Sequence, residues 1–419
     1  MTEPDVISEL PKNITDQILI KLPQKEAIRT SILSTKWRYK WLSLPQLIFD
    51  YPFNYNFSNP TELTNLIPQI YQSLLLHNGP LINFSFSISN SNNFSSHINH
   101  WLHFLSTIKI QHFCLRIWRG NPQKLSSHFY SFQQLKHLNL FNCIFKPPAS
   151  FRGFENLVSL EFRNVVFVAE RFGIFVSNCP FLEKLTLEGC PHFFCLRISC
   201  PNLKLLCFNG SFDSINLKNC PNLEIVSIGL NGMAEISKYF IDRKSCNLVE
   251  IASSIPQIQE LSIHLHFLKF LAKGGVQNRL PRSLEELRKV EISDLCFEKK
   301  EEVSCALCLI SSSPNLERLT IIAQTDKNAD MEGVVELLRW QDFSECSLNK
   351  LKTVKMEEIS GVEAELELMK YLLANSSNLE IFEILPIKDT DKGFQILKEL
   401  IRFRRASAKA QIIYYDDLV

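Results

Sequence analysis

The chain repeats itself, and the repeat restricts its folding more than any other feature. The segments LKHLNL from Leu135, LVSLEF from Leu157, LEKLTL from Leu182, LKLLCF from Leu203 and LEIVSI from Leu223 share one pattern, apolar-x-x-apolar-x-apolar. The pattern returns at IQELSI from Ile258, LRKVEI from Leu287, LERLTI from Leu316, LKTVKM from Leu351 and LEIFEI from Leu379, with a weaker copy at LINFSF from Leu81. The first five copies start 22, 25, 21 and 20 residues apart, and later gaps widen.

Alternating apolar residues turn one face of a short strand inward. One such unit cannot bury that face alone, so copies must stack, pair their strands in parallel and share a continuous core. The period matches that of leucine-rich repeats, about 20–29 residues. The connections repeat as well: NCPFL at Asn178, SCPNL at Ser199, NCPNL at Asn219 and SSPNL at Ser312. Proline cannot continue a preceding helix, so each Cys-Pro or Ser-Pro is expected at the same corner of its coil. Cys143, Cys179, Cys190, Cys200 and Cys220 then read as small buried hydrophobes. Cys305 and Cys308 have CxxC spacing but no second pair, and the apolar run VSCALCLI places them in a helix core. His97, His100 and His103 accompany Ile98, Trp101, Leu102 and Leu105, whose spacing already explains a helix. No metal, cofactor or catalytic set is expected. There is no phosphate loop, dinucleotide fingerprint, zinc-protease motif or nucleophile elbow.

The 419 residues suffice for two or three domains. Net charge is +1 and no basic stripe emerges, which argues against nucleic acid. The basic run RFRRASAK is read as a solvated helix end. No run of about 18 apolar residues predicts a membrane span. The start, MTEPDVISELPKN, lacks a basic and an apolar signal region. The thirteen cysteines are therefore expected as reduced thiols, in the cytoplasm, the nucleus or both.

The first 50 residues carry no repeat. ITDQILIKL from Ile14, QKEAIRTSIL from Gln24 and STKWRYKWLSL from Ser34 read as three short helices, with Asn13 and Ser34 as N-caps and breaks at Pro11, Pro23 and Pro45. Ile14, Ile18, Leu19, Leu22, Ile28, Ile32 and Leu33 are more apolar surface than so small a unit hides. Some of them should face a partner. Trp37 and Trp41, placed four apart on one helical face, read as hydrophobic anchors at or beneath that interface.

These residues resemble an F-box, opened by Leu10-Pro11 and closed by LSTKWRYKW, and the continuation LIFD resembles plant F-box proteins. The resemblance implies that Leu10, Pro11, Ile14, Ile18, Leu22, Pro23, Ile28, Leu33 and Trp37 bind the Skp-type adaptor of an SCF ubiquitin ligase. A cullin would be reached through that adaptor. The far end, LNKLKTVKMEEISGVEAELELMKYLLANSSNLEIFEI from Leu348 and GFQILKELIRFRRASAKAQIIYY from Gly393, resembles the FBD domain of plant F-box/leucine-rich-repeat proteins. It also continues the register and suits a solenoid cap. Its helix from Ala364 to Leu373 is expected to bury Leu366, Met369, Leu372 and Leu373. The expected fold is α/β: a three-helix F-box over residues 1–50, a leucine-rich-repeat solenoid over 51–345 with parallel strands on the concave side, and an FBD-like cap over 346–419.

Residues beside the inward ones point to the concave face. Stacking predicts one row of His137, Ser159, Lys184, Leu205 and Ile225. A second holds Asn139, Glu161, Thr186, Cys207 and Ser227, and a third Phe141, Arg163, Glu188, Asn209 and Gly229. His137, Asn139, Phe141, Glu161, Arg163, Lys184 and Glu188 are the candidate contacts to a target protein. The implied function is that of a non-catalytic substrate receptor. A scaffold without target turnover and a small-molecule hormone co-receptor are the alternatives, the latter with Arg163 and Lys184 as anion anchors.

Overall fold

The computed structural model describes residues 9–22, 24–50, 60–90, 94–231, 248–273, 275, 278–326, 328–340, 348–387 and 390–415. Two compact units, Met1–Pro191 and His192–Val419, divide the chain.

In the first unit, α1 (Lys12–Ile20) and α2 (Gln24–Arg29) precede β1 (Gln46–Asp50), α3 (Pro60–Leu76), β2 (Asn83–Asn90), α4 (Ser95–Ser106) and β3 (His112–Arg119). Then come β4 (Gln123–Lys124), β5 (His137–Phe141), β6 (Cys143–Ile144), β7 (Ser159–Arg163), α5 (Ala169–Ser177) and β8 (Lys184–Glu188). Strands β1, β2, β3, β5, β7 and β8 lie side by side, every pair parallel. β4 and β6 form a separate parallel pair.

The second unit runs β9 (Leu196–Arg197), β10 (Leu205–Gly210), β11 (Ile215–Asn216), β12 (Ile225–Leu230), α6 (Leu248–Ser254), β13 (Glu260–Leu265) and α7 (Phe267–Lys273). It continues with β14 (Lys289–Leu295), α8 (Lys300–Ser311), β15 (Arg318–Ala323), α9 (Glu332–Trp340), β16 (Thr353–Ile359) and α10 (Glu363–Asn375). β17 (Ile381–Pro386), α11 (Thr390–Arg402) and β18 (Gln411–Tyr414) complete it. β10 and β12 to β18 are parallel neighbours in chain order, and β9 pairs with β11.

Every repeat segment leads into a strand, as a solenoid requires. Two further coils enter that the repeat reading passed over. β3 follows IQHFCL at Ile110, which fits the pattern, and β1 follows the first 45 residues. Burial alternates along the strands: Leu138 and Leu140, Leu160 and Phe162, Leu185 and Leu187 face inward. The core of the first unit is largely aromatic. Phe145 lies 5.1 Å from Phe162 and 5.0 Å from Phe175, and Phe151 lies 4.9 Å from Phe154, ring centre to ring centre.

Each coil turns its corner in the same way. The N–H of the leading apolar residue donates to the carbonyl three residues back: Leu182 to Cys179, Leu203 to Cys200, Leu223 to Cys220, Leu316 to Ser313 and Leu379 to Ser376. These corner residues are buried, so the Cys-Pro and Ser-Pro motifs occupy equivalent places. Burial pushes the Cys179 thiol up to about 11 and the half-buried Cys190 thiol up to about 12, away from thiolate reactivity. Cys305 and Cys308 are buried in α8, and both thiols are raised by burial.

A second recurrent device was not read from the sequence. The residue before the leading apolar one is often asparagine, and its amide ties one coil to the previous one. Asn156 donates to the Gln133 carbonyl at 2.9 Å, Asn222 to Pro201 at 2.9 Å, Asn315 to Glu285 at 2.9 Å and Asn378 to Asn349 at 2.6 Å. Each acceptor sits two residues before its own coil's leading apolar residue.

In the cap region, α10 buries Met369, Leu372 and Leu373 as expected, but Leu366 is only half-buried. Ala364, Glu365 and Leu368 take the inner positions instead. The reason is Glu365, whose carboxylate is drawn inward to cap its own helix. It accepts the backbone N–H groups of Ser360 at 2.9 Å and Gly361 at 2.7 Å, and the Thr325 hydroxyl at 2.7 Å. Burial raises its carboxyl pKa, while these donors oppose the rise.

Candidate adaptor-docking head and exposed strand face

The N-terminal head is built around α1 and α2. Pro11 precedes α1 as its N-cap, with φ −53° and ψ 148°, so Asn13 lies inside the first turn and does not cap it. Proline's fixed φ and missing N–H suit a helix start, where an N–H has no partner anyway. Thr15 is buried one turn on, and its hydroxyl donates to the Pro11 carbonyl at 2.9 Å.

The third helix is absent. Residues 35–39 form turns, followed by a 3-10 helix over Lys40–Ser43. Trp37 N–H donates to the Ser34 carbonyl, Lys40 to Trp37 and Leu42 to Tyr39, all three residues back. Ser34 therefore opens a turn and caps no helix. Thr35, Trp37, Tyr39 and Trp41 are β-branched or aromatic and lose rotamer freedom in an α-helix. The tighter winding carries both tryptophans inward instead. Trp37 and Trp41 join Leu19, Ala27, Leu42 and Leu44 in a buried cluster, with Ile20, Leu22 and Ile28 packed against it. The Lys40 ammonium lies 4.8 Å over the Trp37 ring, a cation–π contact, and donates to Thr15 Oγ1 at 3.2 Å.

The expected adaptor-binding residues therefore separate. Trp37 is 3% exposed and lies beneath the surface. Leu22 and Ile28 are half-buried flanks of the core, and Leu10 is half-buried. Pro23 lies outside the described residues. Pro11 is exposed, as are Ile14 and Ile18, 39% and 40%, four residues apart on the outer side of α1. Leu33 is 66% exposed, and its neighbour Ile32, absent from the expected set, is 87% exposed. Ile32 leaves the inner face because α2 is only six residues long and gives way to a 3-10 turn over Thr30–Ile32. The motif QKEAIRTSIL hides this, since its helical spacing looks continuous.

The head is fastened to the first coils. Gln46 Nε2 donates to the Ile20 carbonyl at 2.9 Å, and Asn78 N–H donates to the Leu42 carbonyl at 3.1 Å. Gly79 lies so close to the Ser43 carbonyl that a β-carbon would collide with it.

The exposed strand face of the first unit carries the expected rows. His137, Ser159 and Lys184 are in register, as are Asn139, Glu161 and Thr186, and Phe141, Arg163 and Glu188. In the second unit Leu205 pairs with Ile225, Cys207 with Ser227 and Asn209 with Gly229. Register extends each first-unit row to β3, through His112, Cys114 and Arg116. His112 and His137 stack with ring centres 4.3 Å apart. Burial and nearby lysines hold both imidazoles below their usual pKa. Arg163 is not a free anion anchor: its Nε is 2.7 Å from Glu161 Oε1 and 3.4 Å from Glu188 Oε2. Lys184 is exposed beside Ser159. Tyr71 bonds His97 at 3.1 Å and His100 at 3.2 Å. Among the described residues no three His, Cys, Asp or Glu side chains converge on a metal position.

An apolar-faced helical head is thus bonded to stacked parallel coils, whose outward rows mix charge and aromatic surface. Residues 7–49 match the F-box domain, and residues 80–399 match the leucine-rich-repeat domain described for At1g61320/AtMIF1. The F-box/FBD/LRR-repeat protein At1g13570 of Arabidopsis thaliana is 34% identical, with 99% of each chain covered. The probable FBD-associated F-box protein At1g32375 of the same plant is 25% identical over 98% of this chain and 100% of its own. The chain belongs to the plant F-box/FBD/leucine-rich-repeat family. F-box domains generally bind Skp-family adaptors.

Proposed function

We propose that this chain is the substrate-recognition subunit of an SCF-type ubiquitin ligase, acting in the cytoplasm, the nucleus or both. The head docks a Skp-family adaptor, and a cullin follows through it. The exposed strand face and the FBD-like cap hold a target protein. Ubiquitin transfer is the work of other subunits. This chain contributes effective concentration and orientation, placing target lysines where the transfer occurs.

The observation that carries the reading is the apolar surface left uncovered on the head: Pro11, Ile14, Ile18, Ile32 and Leu33. Small units do not leave this much apolar surface to water unless a partner covers it. The test is co-purification with a plant Skp-type adaptor. The intact chain is expected to bind. Leu10→Ala/Pro11→Ala and Ile14→Glu/Ile18→Glu are each expected to weaken binding at least tenfold while melting near the parent temperature. Absence of binding by the intact chain would refute the proposal.

A further inference from the structure

Resting on the reading that the exposed strand face receives a target, we infer that its first unit holds a seat for one kind of segment. That segment carries an Asp or Glu beside a large apolar side chain. Phe141 lies in register between Arg116 on β3 and Arg163 on β7, and the two arginines differ. The charge of Arg163 is already answered by Glu161 and Glu188. Arg116 is half-buried and makes no ion pair among the described residues. Among the described residues its Nε donates to the Asn139 amide oxygen alone, at 3.5 Å, and that amide turns its own N–H group to Glu161. Asn139 thus steers the guanidinium without neutralising it. A half-buried guanidinium facing a neutral amide lacks the carboxylate that its forked donors match best.

The apolar half of the seat stands beside it. Trp118 is two residues along the same strand face from Arg116, and its ring centre is 4.8 Å from that of Phe141. Trp118 Nε1 donates to Ser87 Oγ at 3.0 Å, which fixes the indole before any partner arrives. Both rings are half-buried, so part of the pair's apolar surface is presented to an incoming side chain. Tryptophan and arginine are the types that carry most binding energy at protein interfaces. One unanswered cation beside an aromatic pair suits a peptide carboxylate. A nucleic-acid backbone needs several cations in line.

The test is selection of a random twelve-residue peptide library, displayed on phage, against the full chain. Enriched sequences are expected to place Asp or Glu within three residues of Phe, Trp or Leu. The best peptide, measured by fluorescence anisotropy, is expected to lose about tenfold or more in affinity with Arg116→Gln and with Trp118→Ala. It should lose less with Arg116→Lys and stay within about twofold for Lys370→Ala on α10. Thermal melts of every variant separate lost binding from lost fold. Enrichment of basic or uncharged peptides, no enrichment, or affinity unchanged by Arg116→Gln would each overturn the inference. Saturable binding of phenylacetate with no peptide enriched would overturn it too, by showing a small-molecule seat. Adaptor co-purification of Arg116→Gln, expected unchanged, keeps this outcome separate from failure of the proposed function.

Discussion

At the scale of single residues, apolar side chains in the head do two opposed jobs. Trp37 fills the cluster formed by Leu19, Ala27 and Trp41, so Trp37→Ala is expected to cost about 3–5 kcal/mol of head stability. A denaturant titration followed by circular dichroism reads this. Ile32 touches mainly water, so Ile32→Ala should change stability by less than about 0.5 kcal/mol while weakening adaptor binding. Glu365 gives a third contrast. Glu365→Ala leaves the buried Ser360 N–H and the neighbouring Gly361 N–H without their acceptor, an expected loss of about 2–5 kcal/mol. Glu365→Gln is expected to lose less, because its amide oxygen can accept the same N–H groups while its NH2 donates to the Thr325 and Ser360 hydroxyls. Gly361, at φ +78°, also lies where a β-carbon would press on Ile396, so the loop that cages Glu365 tolerates no larger residue. Sequence spacing marked Trp37, Trp41 and Ile32 as important and passed over Glu365 and Gly361. It could not tell inward from outward in the head, since α2 and the 3-10 turn after it break the helical period that such a reading assumes.

At the scale of elements, the coils were the most legible part. Alternating burial is a period-2 signal, and ten copies in one register leave little room for another fold. β3 escaped because Ile110-x-x-Phe113-x-Leu115 contains no leucine at its first two key positions. The asparagine ties escaped because a side chain bonding the previous coil leaves no periodic trace beyond the letter N before an apolar residue. Asn222→Ala and Asn378→Ala are each expected to cost about 0.5–1.5 kcal/mol, the net worth of a hydrogen bond that is not buried. Asn222 and Asn378 serve coils several strands apart, so their effects should add within about 0.5 kcal/mol. Thermal unfolding of the double variant checks this. The stacked His112–His137 pair gives a pH dependence. Both imidazoles are held below their unfolded pKa, so the unfolded chain binds more protons in that range. Stability is then full above about pH 6.5 and falls as pH drops through that value. His112→Phe/His137→Phe should flatten the profile between neutral and mildly acidic pH.

At the scale of the whole molecule, each unit is a stack in which a coil touches mainly its neighbours, so its last layer governs its cohesion. In the second unit β18 covers the outer edge of β17. The Ser407 hydroxyl bonds the Leu379 carbonyl at 2.6 Å, and Ala406 N–H bonds Leu373 at 2.9 Å. A chain ended after residue 387 should bare that edge and the buried side of α10. It is expected to show early hydrogen exchange in β17 and concentration-dependent association. The F-box matched over residues 7–49 was legible from short motifs. The pairing of Arg163 with Glu161 and Glu188 was not, because it depends on which neighbours the stacking brings within reach.

The bonds that fasten the head to the first coils have one more consequence. With Gln46 holding the Ile20 carbonyl and Gly79 pressed against Ser43, there is no slack between docking head and strand face. Parallel strands are spaced about 4.8 Å apart, so the sheet of the first unit works as a ruler whose zero is the head. A target gripped at β3 and β5 stands two to three graduations from that zero. On the proposed function its reachable lysines are chosen by counting coils, and a variant with one coil added between β1 and β3 should keep its target yet direct ubiquitin to different lysines.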